Sequence, residues 1–317
     1  MTEPVLSIII VSFNTRTLLA QCLASIRRHP PPVPFETIVA DNDSGDGSPE
    51  MVETDFPEVR LIRTGANVGF GAANNRGLQA AKGGVLFFLN SDTELLPGTI
   101  APLLERLHGN PRVGIVGPTE QDTKGVPYPT ICPAPDLRYL ALTHTGLRHR
   151  WYRNVWINPY RRIWEQALAT GRSVAVGWVS GASLMVRRPV LDQVGAFDEG
   201  YFMYMEETDL CERARKSGWL VEFVPGALVT HHGGGSSEQA RSGILTLSGT
   251  VSELRYFRKH RSAWELLLLK GLLGVEFALK LVIVRRNDPR RWAYVEILKA
   301  LAGLRPVAVT RQDLCPR

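Results

Sequence analysis

Cysteine is scarce in this 317-residue chain. Cys22, Cys132, Cys211 and Cys315 lie far apart, and no C-x-x-C occurs. A zinc knuckle or a small disulfide-stapled scaffold is therefore not expected. The first βα turn lacks G-x-G-x-x-G, and no G-x-x-x-x-G-K-[ST] occurs, which argues against a dinucleotide oxidoreductase and a P-loop enzyme. No basic segment precedes the first apolar run and no A-x-A site follows it, so Val5 to Phe13 reads as a buried strand rather than a signal peptide. The expectation is a cytoplasmic, reducing location.

What is present is ordinary for a globular protein. Hydrophobic residues make up 44% and charged residues 21%, which excludes disordered, collagenous and multi-span membrane classes. The length accommodates about two domains. Lys and Arg number 37 against 31 Asp and Glu, an excess of +6 that suits nucleotides, lipid head groups or nucleic acid. Nucleic acid rests on charge alone, with no recognition motif beside it, and is not expected as a partner.

Apolar runs and helical patterns alternate. Strands are expected at Val5–Phe13, Thr37–Ala40, Val59–Arg63, Val85–Leu89, Val113–Val116, Trp178–Arg187 and Val221–Val224. Helices are expected over 17–28, Ala72–Ala81, Pro97 to Leu107, Pro189–Val194 and 208–216. The tail from 250 reads as helical and basic. This alternation predicts an α/β fold with a mainly parallel sheet flanked by helices. The strand ends carry Asn14, Asp41 and Asp92, at the sheet edge where open α/β sheets bind ligands. Asp and Asn also simply favour turns. From 137 to 164 the chain carries Arg138, Arg148, Arg150, Arg153, Arg161 and Arg162 with interleaved Trp and Tyr and no acid.

Three segments carry chemistry. Asn90-Ser91-Asp92 follows an apolar strand; its carboxylate could hold Mg²⁺ or Mn²⁺, or could cap a turn. Glu206-Glu207-Thr208-Asp209 places three acids at a helix start. The helix dipole favours acids there, but the preceding Tyr201-Phe202-Met203-Tyr204-Met205 run should lie on a core or pocket wall, making a carboxylate there a candidate general base. His231-His232 leads into a glycine run that can approach a diphosphate; adjacent strand residues face opposite ways, so one His at most belongs to a site.

Taken in order, these segments resemble the inverting family 2 glycosyltransferases of the GT-A fold, over about residues 5–237. The carrying runs are Ser7 to Asn14, Asp41 to Ser48, Asn67 to Asn75, Asn90-Ser91-Asp92, the acids at 206–209 and the stretch from His231. The resemblance implies a nucleotide-sugar donor held by Ser12, Asn14, Asp41, Asp43, Asn67, Gly69, Asn74, Asn90 and Ser91. It implies a divalent metal, Mg²⁺ or Mn²⁺, at Asp92, assisted by His231. It places the catalytic base at Glu207, with Glu206 beside it. The family more often has Glu-Asp-x-Asp; Glu is longer by one C–C bond, roughly 1.5 Å. Either the backbone compensates, or Glu206 or Asp209 is the base.

Within the family, Tyr128-Pro129, Val176 to Ala182 and Phe197 to Glu206 look like the bacterial rhamnosyltransferases. These imply dTDP-rhamnose as donor and a lipid-linked or polysaccharide acceptor in cell-envelope glycan synthesis. A UDP- or GDP-linked donor, or a nucleotide-sugar binding module without activity, are the alternatives. The expected organisation is a transferase domain over 1–237, with 137–164 as an insertion on the acceptor side, and a basic amphipathic helical region over 238–317. Residues 264–284 are largely apolar but hold Lys270, Glu276 and Lys280 within about a third of the helix circumference. A spanning helix tolerates three charges poorly, whereas a helix in the membrane interface accepts them. Thirteen basic residues against five acids between 250 and 311 exceed the whole-chain excess. They point to peripheral contact with the anionic inner face of the cell membrane; a homodimer interface or core helix is the other use of this segment.

Overall fold

Leu6 to Ser12 forms β1, a strand buried along its whole length, with Leu6, Ile8 and Ile10 packed to one side and Ile9 to the other. A strand apolar on both faces requires cover on both, as in doubly wound α/β folds. The computed structural model describes residues 4–132, 134–136, 159–233 and 243–303. After β1 come α1 (Arg16–Arg28), β2 (Phe35–Asp41), α2 (Ser48–Asp55), β3 (Arg60–Arg63), α3 (Phe70–Ala80), β4 (Val85–Asn90), β5 (Thr93–Leu95), α4 (Ile100–Gly109) and β6 (Val113–Gln121). Next are β7 (Pro127–Tyr128), β8 (Ile131–Cys132), α5 (Pro159–Thr170), β9 (Val174–Ala175), β10 (Trp178–Val179), β11 (Ser183–Arg187), α6 (Arg188–Val194), α7 (Glu206–Lys216) and β12 (Leu220–His231). Three helices close the chain: α8 (Gly243–His260), α9 (Ala263–Ile283) and α10 (Arg291–Leu301).

Among the described residues, ten strands form one mixed sheet with the main order β3-β2-β1-β4-β11-β6-β12-β5. β3, β2, β1 and β4 run parallel, as their alternation with helices predicts; β11 enters antiparallel beside β4. The expected α1 stripe is observed, with Leu19, Cys22, Leu23 and Ile26 buried and Leu18 only partly so.

Three expectations change. Pro97 does not open α4: Gly98 has φ +77, the Thr99 hydroxyl ties back to Leu96, and the helix starts at Ile100. The expected strand over 178–187 is broken at Ser180-Gly181-Ala182, where the Asn90 N–H donates to the Ala182 carbonyl and draws the turn to the end of β4. β12 continues past Val224 to His231 through a register shift between Val224 and Leu228. Of the stretch 137–164, residues before 159 lie outside the described ones, and so does the glycine run after Gly233.

α8, α9 and α10 share a separate hydrophobic cluster, with Leu269, Leu273 and Phe277 packed on Leu247, Leu254, Tyr294 and Ile297. Tyr201 belongs to the same cluster, so the run before α7 is tied to the C-terminal helices. Polar contacts reinforce this. Asp209 is bound by Arg213, Lys259 and His260, and Asp198 by Arg255 and Lys259. Arg255 and Lys259 of the basic tail are thus used inside the fold. No helix among the described residues is long and apolar enough to cross a membrane.

Candidate active site

The strand order changes direction between β1 and β4, so a crevice opens at their C-terminal ends. A first cavity there is lined by Phe13, Thr15, Asn42, Asn67, Gly69, Asn90, Ser91 and Asp92. Its floor is cross-linked. The Asn42 amide donates to Asn67 Oδ1 (2.8 Å), the Val68 N–H donates to Asn42 Oδ1 (2.9 Å), and the Thr15 hydroxyl donates to Ser91 Oγ (2.9 Å). Gly69 has φ +89, and a Cβ there would lie 2.4 Å from the Phe202 carbonyl oxygen, which accepts the Phe70 N–H. Only glycine fits that approach.

The expected donor residues divide. Asn67, Gly69, Asn90, Ser91 and Asp92 line the cavity. Ser12 sits behind it, 3.2 Å from the Thr15 hydroxyl. Asn14 ties two loops, its Oδ1 accepting from the Gly45 N–H. Asp41 is 3% exposed; its Oδ2 accepts from the Ser44 N–H, while Oδ1 is buried with no partner among the described residues. Asp43 is exposed, and Asn74 is buried with its amide donating to the Phe70 carbonyl. Neither of these two reaches the cavity lining. Asn42 and Thr15 take their place, within turns the sequence motifs already marked.

A second cavity of about 440 Å³ shares Phe70, Asn90, Asp92 and Met203 with the first and adds Trp178, Gly181, Tyr204, Glu206, Glu207 and His231. β12 brings His231 here by pairing antiparallel with β5, His231 opposite Thr93, and the His232 N–H donates to the Asp92 carbonyl. His231 Nε2 lies 3.2 Å from Asp92 Oδ1, and its Nδ1 lies 2.8 Å from the Tyr128 hydroxyl, which donates to Glu120. His232 turns the other way, to Glu94. Burial works against charge on His231, but Asp92 and Glu120 outweigh it and push its pKa up to about 10.

Glu206 and Glu207 open α7 directly after Tyr204 and Met205, two consecutive left-handed residues at φ +70 and +68. Such a conformation costs about 1–3 kcal/mol per residue and recurs at functional sites. Gly181 makes room for Glu207, since a Cβ would lie 3.3 Å from the Glu207 side chain. Burial raises the pKa of both acids, and the charge on Glu207 adds to the rise of Glu206, so the pair does not ionise together. Glu206 Oε2 is buried without a partner among the described residues. Asp209 lies elsewhere, fully buried among cations on the helix side facing α8, and those cations hold its pKa far below the usual range against its burial. It joins α7 to α8 rather than lining either cavity.

The chemistry of the donor set fits a divalent cation. Asp92 supplies a carboxylate, Asn90 Oδ1 is buried without a partner among the described residues, and His231 adds a nitrogen once its proton is displaced.

A crevice at the β1–β4 switch point, an N-x-D turn and a buried acid pair are the features of a GT-A glycosyltransferase. Solved structures share that fold. A mannosyltransferase from Pyrobaculum calidifontis, in complex with GDP-Man and Mn²⁺, matches 99% of this chain and 88% of its own at TM-score 0.56 and 16% identity. GalNAc-T7 with UDP, GalNAc and Mn²⁺ matches 73% of this chain and 43% of its own at TM-score 0.53 and 17% identity. The chain belongs to glycosyl transferase family 2, whose model matches residues 7–187. The N-acetylglucosaminyl-diphospho-decaprenol L-rhamnosyltransferase of Mycobacterium tuberculosis is 35% identical over 298 residues, covering 90% of this chain and 95% of that protein. The acid pair and His231 lie beyond the residues that the family model matches.

Gly69→Ala tests the loop against Phe202. Strain of about 1–3 kcal/mol corresponds to a nucleotide-sugar affinity weaker by about 5- to 100-fold. Calorimetry reads it; wild-type affinity would show that the loop moves aside freely.

Proposed function

We propose that this glycosyltransferase moves L-rhamnose from dTDP-rhamnose to a hydroxyl of a lipid-linked diphosphate sugar, with inversion, in cell-envelope glycan synthesis. The observation that carries the reading is that Glu207, Asp92 and His231 line one cavity, opening onto the crevice beneath Asn67 and Ser91. The donor and acceptor classes follow from the likeness to the mycobacterial rhamnosyltransferase.

In this mechanism the Glu207 carboxylate takes the proton of the acceptor hydroxyl. The hydroxyl oxygen bonds to the anomeric carbon from the face opposite the diphosphate. The anomeric C–O bond breaks, and its electron pair leaves on the diphosphate. Asp92 and Asn90 would hold Mg²⁺ or Mn²⁺, joined by His231 only as a neutral imidazole, and the ion when bound neutralises charge on the leaving diphosphate as a Lewis acid. His231, protonated beside Asp92 and Glu120, is itself a cation within the reaction cavity. Asp41, with a buried free Oδ1, serves the nucleotide base. The test is donor hydrolysis and transfer across a panel of dTDP-, UDP- and GDP-sugars with Mn²⁺ or Mg²⁺. Preference for a UDP or GDP donor would replace rhamnose in this reading; no turnover of any donor would end it.

The same reading places the chain at the inner membrane face, with the transferase unit over 1–237 and the attaching helices beyond it. α9 turns Glu276 and Lys280 inward, Lys280 lying 4.7 Å from the Phe277 ring centre. Trp264, Leu267, Leu268, Val275, Leu279 and Val282 are exposed on its other side, ahead of exposed Arg285 and Arg286. Two of the three charges that argued for an interfacial helix, Glu276 and Lys280, are therefore paired on the side of Phe277, and the exposed face is largely apolar. Leu267→Asp with Leu268→Asp is expected to abolish sedimentation with anionic liposomes while leaving the fold intact by circular dichroism. Unchanged sedimentation, or a wild-type dimer that the pair dissociates, would assign this face to a second copy instead.

A further inference from the structure

A third cavity lies beyond the acid pair. It encloses about 550 Å³, within the roughly 300–1,000 Å³ typical of ligand pockets. Trp178, Tyr204 and Glu207 line both it and the reaction cavity, so Glu207 stands in the wall between them. The crevice for the nucleotide joins the reaction cavity through Phe70, Asn90 and Asp92, none of which lines the third cavity. The remaining walls come from the C-terminal helices, including Glu253 of α8 and Glu276 and Lys280 of α9.

We propose that this third cavity is the acceptor site and that it holds the pyranose of a sugar diphosphate linked to a lipid. The inference rests on the glycosyltransferase reading above and gives its acceptor a place. A base must touch the hydroxyl it deprotonates, and the donor side of Glu207 is taken by the crevice. Carboxylates such as Glu253 accept hydrogen bonds from sugar hydroxyls, and the Trp178 and Tyr204 rings offer apolar faces to sugar C–H groups. Lys280 supplies a cation for the diphosphate. α9 then carries the sequence of chemistry outward, from Glu276 and Lys280 at the cavity to Leu267, Val275 and Val282 on the exposed side. A lipid-linked sugar has the same order: hydroxyls, diphosphate, hydrocarbon.

The test uses the full chain and a water-soluble probe, N-acetylglucosamine diphosphate on a short polyprenyl chain, with binding read by calorimetry. Glu253→Gln and Lys280→Met are each expected to weaken probe affinity by about tenfold or more, with dTDP-rhamnose affinity within about twofold of wild type. Lys280→Met should leave binding of the methyl glycoside of N-acetylglucosamine unchanged, since that sugar lacks the diphosphate; Glu253→Gln should weaken it. The Lys280 side chain is 41% exposed, so its replacement is not a core change. Unchanged probe affinity in both variants overturns the site. Variant-sensitive probe binding by a wild-type chain that turns over no nucleotide sugar supports the site and overturns the catalytic reading instead.

Discussion

Glu207→Gln is expected to lower kcat by about 10²–10⁴-fold, the range for loss of a positioned general base, with nucleotide-sugar affinity retained. The change keeps the volume beside Gly181 and removes only the ionisable oxygen. The pH profile identifies the base independently. Burial raises the Glu207 pKa, so the ionised fraction grows with pH above the usual carboxylate range, and kcat/KM should rise through that limb. Glu206 is raised as well, by burial and by the Glu207 charge, so one carboxylate of the pair ionises ahead of the other. The limb should therefore survive in Glu206→Gln and vanish in Glu207→Gln. A limb lost only with Glu206→Gln would make Glu206 the base.

Asp92→Ala is expected to cost on the order of 10²–10³ in kcat, as for removal of one preorganised group that stabilises a leaving charge. It should also weaken Mn²⁺ binding in the presence of dTDP, read by electron paramagnetic resonance without turnover. Asp92 is nearly buried, and its partner is the His231 cation. Its loss leaves that cation with Glu120 as its one remaining acid among the described residues, so thermal stability should fall as well. Undiminished Mn²⁺ affinity in Asp92→Ala would remove Asp92 from the metal assignment.

The parallel half of the fold is legible because its code is local. Ile8, Ile9 and Ile10 declare a strand buried on both faces, and the stripe Leu19, Cys22, Leu23 and Ile26 declares the helix that covers one of them. Motif spacing likewise shows the crevice, since Asn67 follows β3, Asn90 ends β4 and Asp92 follows it. β5 is too short, at three residues, to carry a pattern of its own, and it is the strand that seats His231 over Asp92. The break at Ser180 to Ala182 is hidden inside an apolar run and depends on the Asn90 N–H across the sheet.

The basic tail shows where such reading ends. Composition located the excess charge after residue 250, but Arg255, Lys259 and Arg261 meet Asp198, Asp209 and Glu212 within the fold. The sequence by itself determined the layered α/β class, the family and several of the residues that line the crevice, because strand periodicity and motif order are properties of neighbours along the chain. Only the tertiary structure separates Glu207 from Asp209, placing one at a cavity wall and the other among cations. The same packing decided which side of α9 faces water, because each outcome depends on what the folded chain places opposite a side chain.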